Sequence, residues 1–324
     1  MNHKSPAPFL SMEERIQYLA KRGYFSADSL NDAAQTRLRN INFHYFLGYA
    51  RNYRMLADQL GLGSPKSIED VFQVIELDHQ MADLMFSALR STEHLLRSTL
   101  VEQYCTAGLD PYKSFLDPAT YQNFGGAVTP EMLTFSIADQ VLRYREPYVV
   151  KHLAEKAKTL GVSVPERCQG SLVALNLLED LPVWAVIDSL QLGTLSRMIT
   201  TVDSSGEKWL WQDVAGALEV PSRIFHTNLT ALSTFRNQVA HYGRLWMKPT
   251  ADTPKKPSVF EKRLRQFSPE PKSMLLNFYN VALFLDASSA KNLLEKVDSI
   301  LLAEENHLYR LGVTKPLTHG VEKS

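Results

Sequence analysis

An arginine, an amide and a histidine fall close together in the run Arg236-Asn237-Gln238-Val239-Ala240-His241. Histidine changes charge near neutral pH, so His241 can take a proton or give one. The guanidinium of Arg236 is permanently charged, and its fork of N–H groups matches a phosphate or carboxylate. Asn237 can orient an imidazole or donate to a phosphate oxygen. These residue types suit chemistry on a phosphodiester, where one group moves a proton and another neutralises charge building on the phosphate oxygens.

The element that must position them is a helix. Phe225, Leu229, Leu232, Phe235 and Val239 are spaced four, three, three and four apart, one face of an amphipathic helix. At about 100° per residue, Arg236 falls inside that apolar stripe. An unpaired buried charge is costly, so it needs a carboxylate or phosphate partner. Asn237 and His241, four residues apart, share another face, and Gly243 offers a C-terminal stop. Arg236 and His241 lie about 140° apart on a regular helix. They converge on one phosphate only if the arginine reaches round, the helix ends early, or two chains each contribute a member. A candidate partner for Arg236 is Glu93, which with Arg97 edges the apolar stripe of a long helical pattern from Val71 to Tyr104. Glu93 and Arg97 read either as a surface ion pair or as a support in which Glu93 holds the Arg236 guanidinium by two hydrogen bonds. The second arrangement would make Arg236 partly structural.

Composition narrows the class. A chain of 324 residues, 44% hydrophobic and 22% charged, has the make-up of a soluble globular protein able to bury a large core. No apolar run approaches the roughly 18 residues needed to span a bilayer, and Met1–Pro8 does not open a secretory signal. Two cysteines, Cys105 and Cys168, make neither a disulfide framework nor a zinc site. The expectation is a reduced cytoplasmic protein without metal or cofactor. The net charge of zero gives no global attraction to nucleic acid, so RNA binding must rest on a local patch. The candidate follows the histidine: Arg244, Lys248, Lys255 and Lys256, with Lys262, Arg263 and Arg265 beyond. A solvated loop is the plainer account of such a run.

The remaining pattern is helical. Ser11 and Glu14 form a capping box opening a helix to Gly23, and a second helix covers roughly Leu30 to Asn40. An aromatic run, Ile41 to Tyr49, suits a core or interface better than base stacking. Gly61 to Pro65 breaks the chain, and Ser67 to Asp70 opens the long pattern. Further helices are expected from Glu131 to Arg145 and from Pro147 to Leu160. Another runs from Leu172 to Met198 with interruptions at Pro182 and Gly193, and a short one from Glu207 to Leu218. Pro249 to Pro271 reads as a loop, and Ser273 to Glu305 as helix with a break near Ala287–Ser289. Alternating β patterns are absent, so the class is all-α.

The arginine–histidine spacing resembles the R-x4–6-H signature of HEPN ribonucleases. The longer run Arg236-Asn237-x-x-Ala240-His241-x-x-Arg244-Leu245-Trp246 is similar to the signature of the Abi-like (abortive infection) phage-resistance proteins. Four other stretches resemble that family in order: Pro8 to Gly23, Ile41 to Tyr49, the Glu93/Arg97 helix, and Leu181-Pro182-Val183-Trp184 leading to Leu192–Arg197. The tail Leu311-Gly312-Val313 fits as well. Tyr242-Gly243 departs from the family's frequent His-Ser, and Met247-Lys248 from its frequent Asn-Arg.

The resemblance implies a HEPN-like helical core at 67–248, an N-terminal helical region at 1–66 and C-terminal helices at 249–324. It implies a homodimer that cuts RNA without metal by attack of the 2′-hydroxyl. Arg236, Asn237 and His241 would be catalytic, Arg244, Lys248, Lys255 and Lys256 would bind RNA, and Glu93 and Arg97 would support the motif. A small structured RNA is an expected partner, and a toxin–antitoxin arrangement is consistent with the same chemistry. A non-catalytic RNA-binding protein and a protein-interaction module with a structural Arg–Glu pair remain the alternatives.

Overall fold

A computed structural model describes residues 9–26, 29–61, 67–123, 127–203 and 209–316. The break expected at Gly61–Pro65 falls almost wholly outside them, as does the segment Met1–Pro8. Fifteen α-helices and no strand occur among the described residues, with only two isolated bridges, Tyr121 to Val202 and Asp203 to Trp209. The all-α class is therefore observed.

The N-terminal third comprises α1 (Met12–Lys21), α2 (Asp32–Arg39), α3 (Phe43–Gln59) and α4 (Ile68–Thr106). The capping box at Ser11 is made as expected: Glu14 N–H donates to the serine hydroxyl, and Ser11 N–H to the Glu14 carboxylate. The pattern from Val71 to Tyr104 is one unbroken helix of 39 residues, opened by a second capping box between Ser67 and Asp70. Its length lets one rod contact many later elements. Then follow α5 (Pro130–Arg143), α6 (Pro147–Leu160), α7 (Leu172–Leu178), α8 (Val183–Val186), α9 (Leu192–Thr201) and α10 (Leu210–Ala217). The chain ends through α11 (Ser222–Ala240), α12 (Glu261–Phe267), α13 (Met274–Leu283), α14 (Ala287–Leu302) and α15 (His307–Thr314).

Two boundaries differ from expectation for local reasons. Gly193 lies inside the first turn of α9 rather than at a break, facing Ser233 of α11 with room for a side chain's Cβ. The stretch 249–271 is not all loop, because Leu264 and Phe267 bury one face of the short helix α12. The core sits where α4, α9, α11 and α13 meet. Helix α13 is buried on every side, which is why its sequence shows no amphipathic stripe.

Candidate functional site

Helix α11 carries the motif, and its end is a Schellman turn. Tyr242 N–H donates to the Val239 carbonyl at 3.1 Å and Gly243 N–H to the Gln238 carbonyl at 2.8 Å. The left-handed residue of this turn is Tyr242, at φ 54°, not the glycine. Gly243 is needed for a different reason. A Cβ there would lie 2.8 Å from the Gln238 carbonyl oxygen. The expected role of Gly243 as the stop is thus divided between two residues. Helical geometry ends at Ala240, and His241 has left it at φ −100°, ψ 21°. The His241 N–H still donates to the Asn237 carbonyl at 3.1 Å, so the residue caps the helix.

Arg236 is half-buried, and its partner is Glu93. Nε donates to Glu93 Oε1 at 2.6 Å, while Nη1 reaches Asn237 Oδ1 at 3.4 Å. The expected helix-to-helix pairing is present, but through one hydrogen bond and not two. The other carboxylate oxygen, Oε2, faces Arg97 Nη2 at 3.4 Å. Glu93, 8% exposed, thus sits between two guanidiniums. Arg97 is further tied to the Leu190 carbonyl at 2.9 Å, but its Nε is buried without a hydrogen-bond partner, the Asp188 carboxylate standing 3.9 Å away. Arg236 Nη2 meets no acceptor among the described residues. Asn237 and His241 are exposed, and the imidazole makes no side-chain hydrogen bond, ion pair or ring contact to a described residue.

The residues after the histidine are held by a group that sequence reasoning passed over. Asp78, on α4 and 2% exposed, accepts four hydrogen bonds. Leu245 N–H donates to Oδ2 at 2.9 Å and Trp246 N–H to Oδ1 at 2.9 Å. Tyr49 of α3 donates to Oδ2 at 2.5 Å, and Tyr309 of α15 to Oδ1 at 2.9 Å. Burial pushes the Asp78 carboxyl up, and the four donors pull it back. Trp246 stacks on Tyr49 with ring centroids 6.0 Å apart and donates from its indole to the Leu308 carbonyl at 3.2 Å. A signal was present in the sequence: Asp78 interrupts the apolar series Val71, Ile75, Met81 and Met85. It is the same anomaly that drew attention to Arg236.

The basic run divides. Arg244 turns inward. Its guanidinium lies over the Tyr49 ring, 5.5 Å from the centroid, and against Gly48, where a Cβ would sit 3.0 Å from Nη1. With its amide oxygen turned toward the guanidinium, Asn52 accepts at 3.1 and 3.2 Å. Lys248 is exposed beyond Trp246. Lys255 and Lys256 lie elsewhere: the Lys255 backbone pairs with the Asn228 amide on α11. That is eight residues, roughly 12 Å, toward the start of the helix from Arg236. Farther on, Arg263 pairs with Asp298 and Arg265 with Glu261. Arg236, Asn237, Glu93 and Arg97 form one linked group, and His241 follows at the end of the same helix without a side-chain contact to it; Lys255 and Lys256 are not part of that group.

This is an all-α protein whose motif helix presents an exposed amide and imidazole beside an anchored arginine. Residues 36–247 match the family model described as Abi-like protein, and the chain belongs to that family. Membership supports a role in abortive infection, the bacterial response that resists phage. Comparison with curated proteins and with solved structures found no match. The family stretches at Ile41–Tyr49, Glu93/Arg97 and Arg236–Trp246 are distant in sequence. Here they meet, through Arg244 against Gly48, Trp246 on Tyr49, and Arg236 on Glu93. No helix among the described residues is long and apolar enough to cross a membrane.

Proposed function

We propose that this protein serves phage defence as an endoribonuclease of the HEPN type, working as a homodimer on RNA without metal. In this reaction the ribose 2′-oxygen bonds to phosphorus while the bond from phosphorus to the 5′-oxygen breaks. A base removes the 2′ proton and an acid supplies one to the leaving oxygen, leaving a cyclic phosphate and a 5′-hydroxyl. His241 performs one of these transfers. A second copy supplies the other histidine at a shared site. The Nη edge of Arg236 stabilises charge on the phosphorane, and Asn237 orients the imidazole or the phosphate. Lys248 and the more distant Lys255 and Lys256 guide the strand, and a small structured RNA is a candidate partner.

One observation carries this reading. Arg236 is anchored through Nε, leaving Nη2 without an acceptor among the described residues, and five residues on His241 is exposed with no side-chain partner among them. The same anchoring favours a second reading, a non-catalytic RNA-binding protein in which Arg236 is chiefly a strut. Purified protein incubated with total cellular RNA separates the two. Cleavage that survives EDTA and is lost in His241→Ala, with RNA binding retained, is the expected result. Cleavage abolished by EDTA, or undiminished in His241→Ala, would overturn the metal-free mechanism or the role of the histidine respectively. Light scattering at micromolar concentration tests the dimer.

A further inference from the structure

Beside the motif turn lies a cavity of about 250 Å³ between α3, α4 and the end of α11, lined by Tyr45, His79, Asp83, Tyr242 and Gly243, with Asp78 at its floor. The hydrogen-bond direction along its wall can be worked out. Each tyrosine has one hydroxyl proton. Tyr49 donates its proton to Asp78, so in the 3.1 Å contact between Tyr45 and Tyr49 the donor is Tyr45. With that proton committed, the 3.1 Å contact of Tyr45 with His79 Nε2 requires the imidazole to donate. Neutral His79 therefore carries its proton on Nε2, and Nδ1 is an acceptor. Asp83, an exposed carboxylate, has no hydrogen bond or ion pair to any described residue, so it also offers acceptors. Of the polar groups open to a ligand, His79 Nδ1 and Asp83 accept, while the Tyr242 hydroxyl can donate or accept; the carboxylates repel phosphate. The cavity suits a neutral ligand with a donor edge. Its aromatic members are Tyr45, stacked near the His79 ring at 6.2 Å, and Tyr242, 87% exposed and next in the chain to His241.

From this geometry we infer that the cavity is a base-recognition subsite for guanine in single-stranded RNA. The inference rests on the nuclease reading above and supplies its specificity. Guanine alone among the four bases presents an adjacent ring N–H and amino group, a two-point match to a carboxylate. Tyr242 provides a face for stacking, and the sugar-phosphate of the bound nucleotide then emerges at His241.

The test uses the full chain and neutral nucleosides, whose lack of phosphate isolates the cavity from Arg236. In ligand-observed NMR titrations, guanosine binds more tightly than adenosine or cytidine. Asp83→Asn weakens guanosine about tenfold or more, the loss expected for a charge-assisted hydrogen bond. Tyr242→Ala weakens it at least about fivefold, as for one lost stacking partner. Both residues are exposed, so neither change endangers the fold, and circular dichroism verifies this. In RNA cleavage, sites fall at a fixed offset from guanine, and Asp83→Asn erases that preference. Equal binding of the three nucleosides, or an unchanged guanosine affinity in Asp83→Asn, overturns the subsite. Guanosine selectivity in a protein that cuts no RNA supports the subsite and removes the nuclease reading.

Discussion

Replacing Glu93 with glutamine tests whether the motif arginine is held by charge. The substitution keeps the shape and an oxygen for Arg236 Nε, but removes the negative charge between two guanidiniums. The side chains of Glu93 and Arg97 are 10% and 14% exposed, whereas Arg236 is 33% exposed. Breaking a well-buried pair by removing one partner costs about 3–5 kcal/mol. Arg236 can rehydrate, so its part falls toward the roughly 1 kcal/mol of a surface pair. Arg97 keeps the Leu190 carbonyl, and glutamine retains an acceptor. Together these reduce the expected loss for Glu93→Gln to about 2 kcal/mol, a fall in Tm of roughly 3 °C for a chain of this length. The same change in an Arg236→Ala background should cost about 1 kcal/mol less, because only Arg97 is then deprived. Thermal melts of the four proteins close this double-mutant cycle. Additivity within about 0.5 kcal/mol would show that the 2.6 Å contact contributes nothing to stability, and the account of Arg236 as an anchored arginine would fail.

Three further outcomes follow from the packing around the motif and α5. Asp78→Asn sets an amide N–H₂ against one of the backbone N–H groups of Leu245 or Trp246, both now satisfied by the carboxylate. Chemical denaturation should register a loss of about 2–4 kcal/mol, and an undiminished midpoint would show that the four-donor site is not a stabilising hub. Gly312→Ala drives a methyl group into the buried Trp246 indole and should cost about 3 kcal/mol or more through overpacking; a wild-type melting curve would contradict that packing. Asp139 accepts from Arg167, which holds its carboxyl below the usual range, assisted by Cys168 N–H. A lowered folded pKa gives stability that is present above the unfolded value of about 3.9 and is lost as pH falls through the folded one. Asp139→Asn should therefore flatten the acid limb of stability below about pH 4 and leave the neutral plateau's slope unchanged.

The helices were legible where one face is buried and the other wet, as in α1, α6 and α11, because burial on one side writes a period into the sequence. The motif itself was legible from residue types, and Glu93 from the need of Arg236 for a carboxylate. Helix α12 was obscured by the lysines and prolines around its two buried residues. The direction in which Arg244 points could not be read, because a guanidinium in a basic run has the same sequence signature whether solvated or laid on a tyrosine. Asp78 was legible in principle but required applying to α4 the argument applied to α11: a charge on an apolar stripe must have partners. Its partners, two tyrosines and two backbone N–H groups, lie 29 to 231 residues away, a separation no local pattern encodes.

Glu93 and Asp78 belong to the same helix, fifteen residues and so about 22 Å apart, and between them they fix both ends of the motif. Glu93 holds Arg236 at the start; Asp78 holds Leu245 and Trp246 at the finish. The arch between them contains Asn237, His241 and Tyr242, all exposed. A segment tethered at each end by buried carboxylates on one rod loses little further freedom when it meets a ligand, so its exposed groups can be oriented in advance. The tyrosine in a left-handed conformation is consistent with this, since a non-glycine residue is kept there only where surrounding bonds over-determine the backbone. Tyr242→Gly should then leave the melting temperature unchanged or raise it by a few degrees, as relief of about 1 kcal/mol of backbone strain is partly offset by greater freedom in the unfolded chain. A loss of more than about 1 kcal/mol would instead mean that the ring itself holds the turn, and that the two carboxylates are insufficient to define the arch.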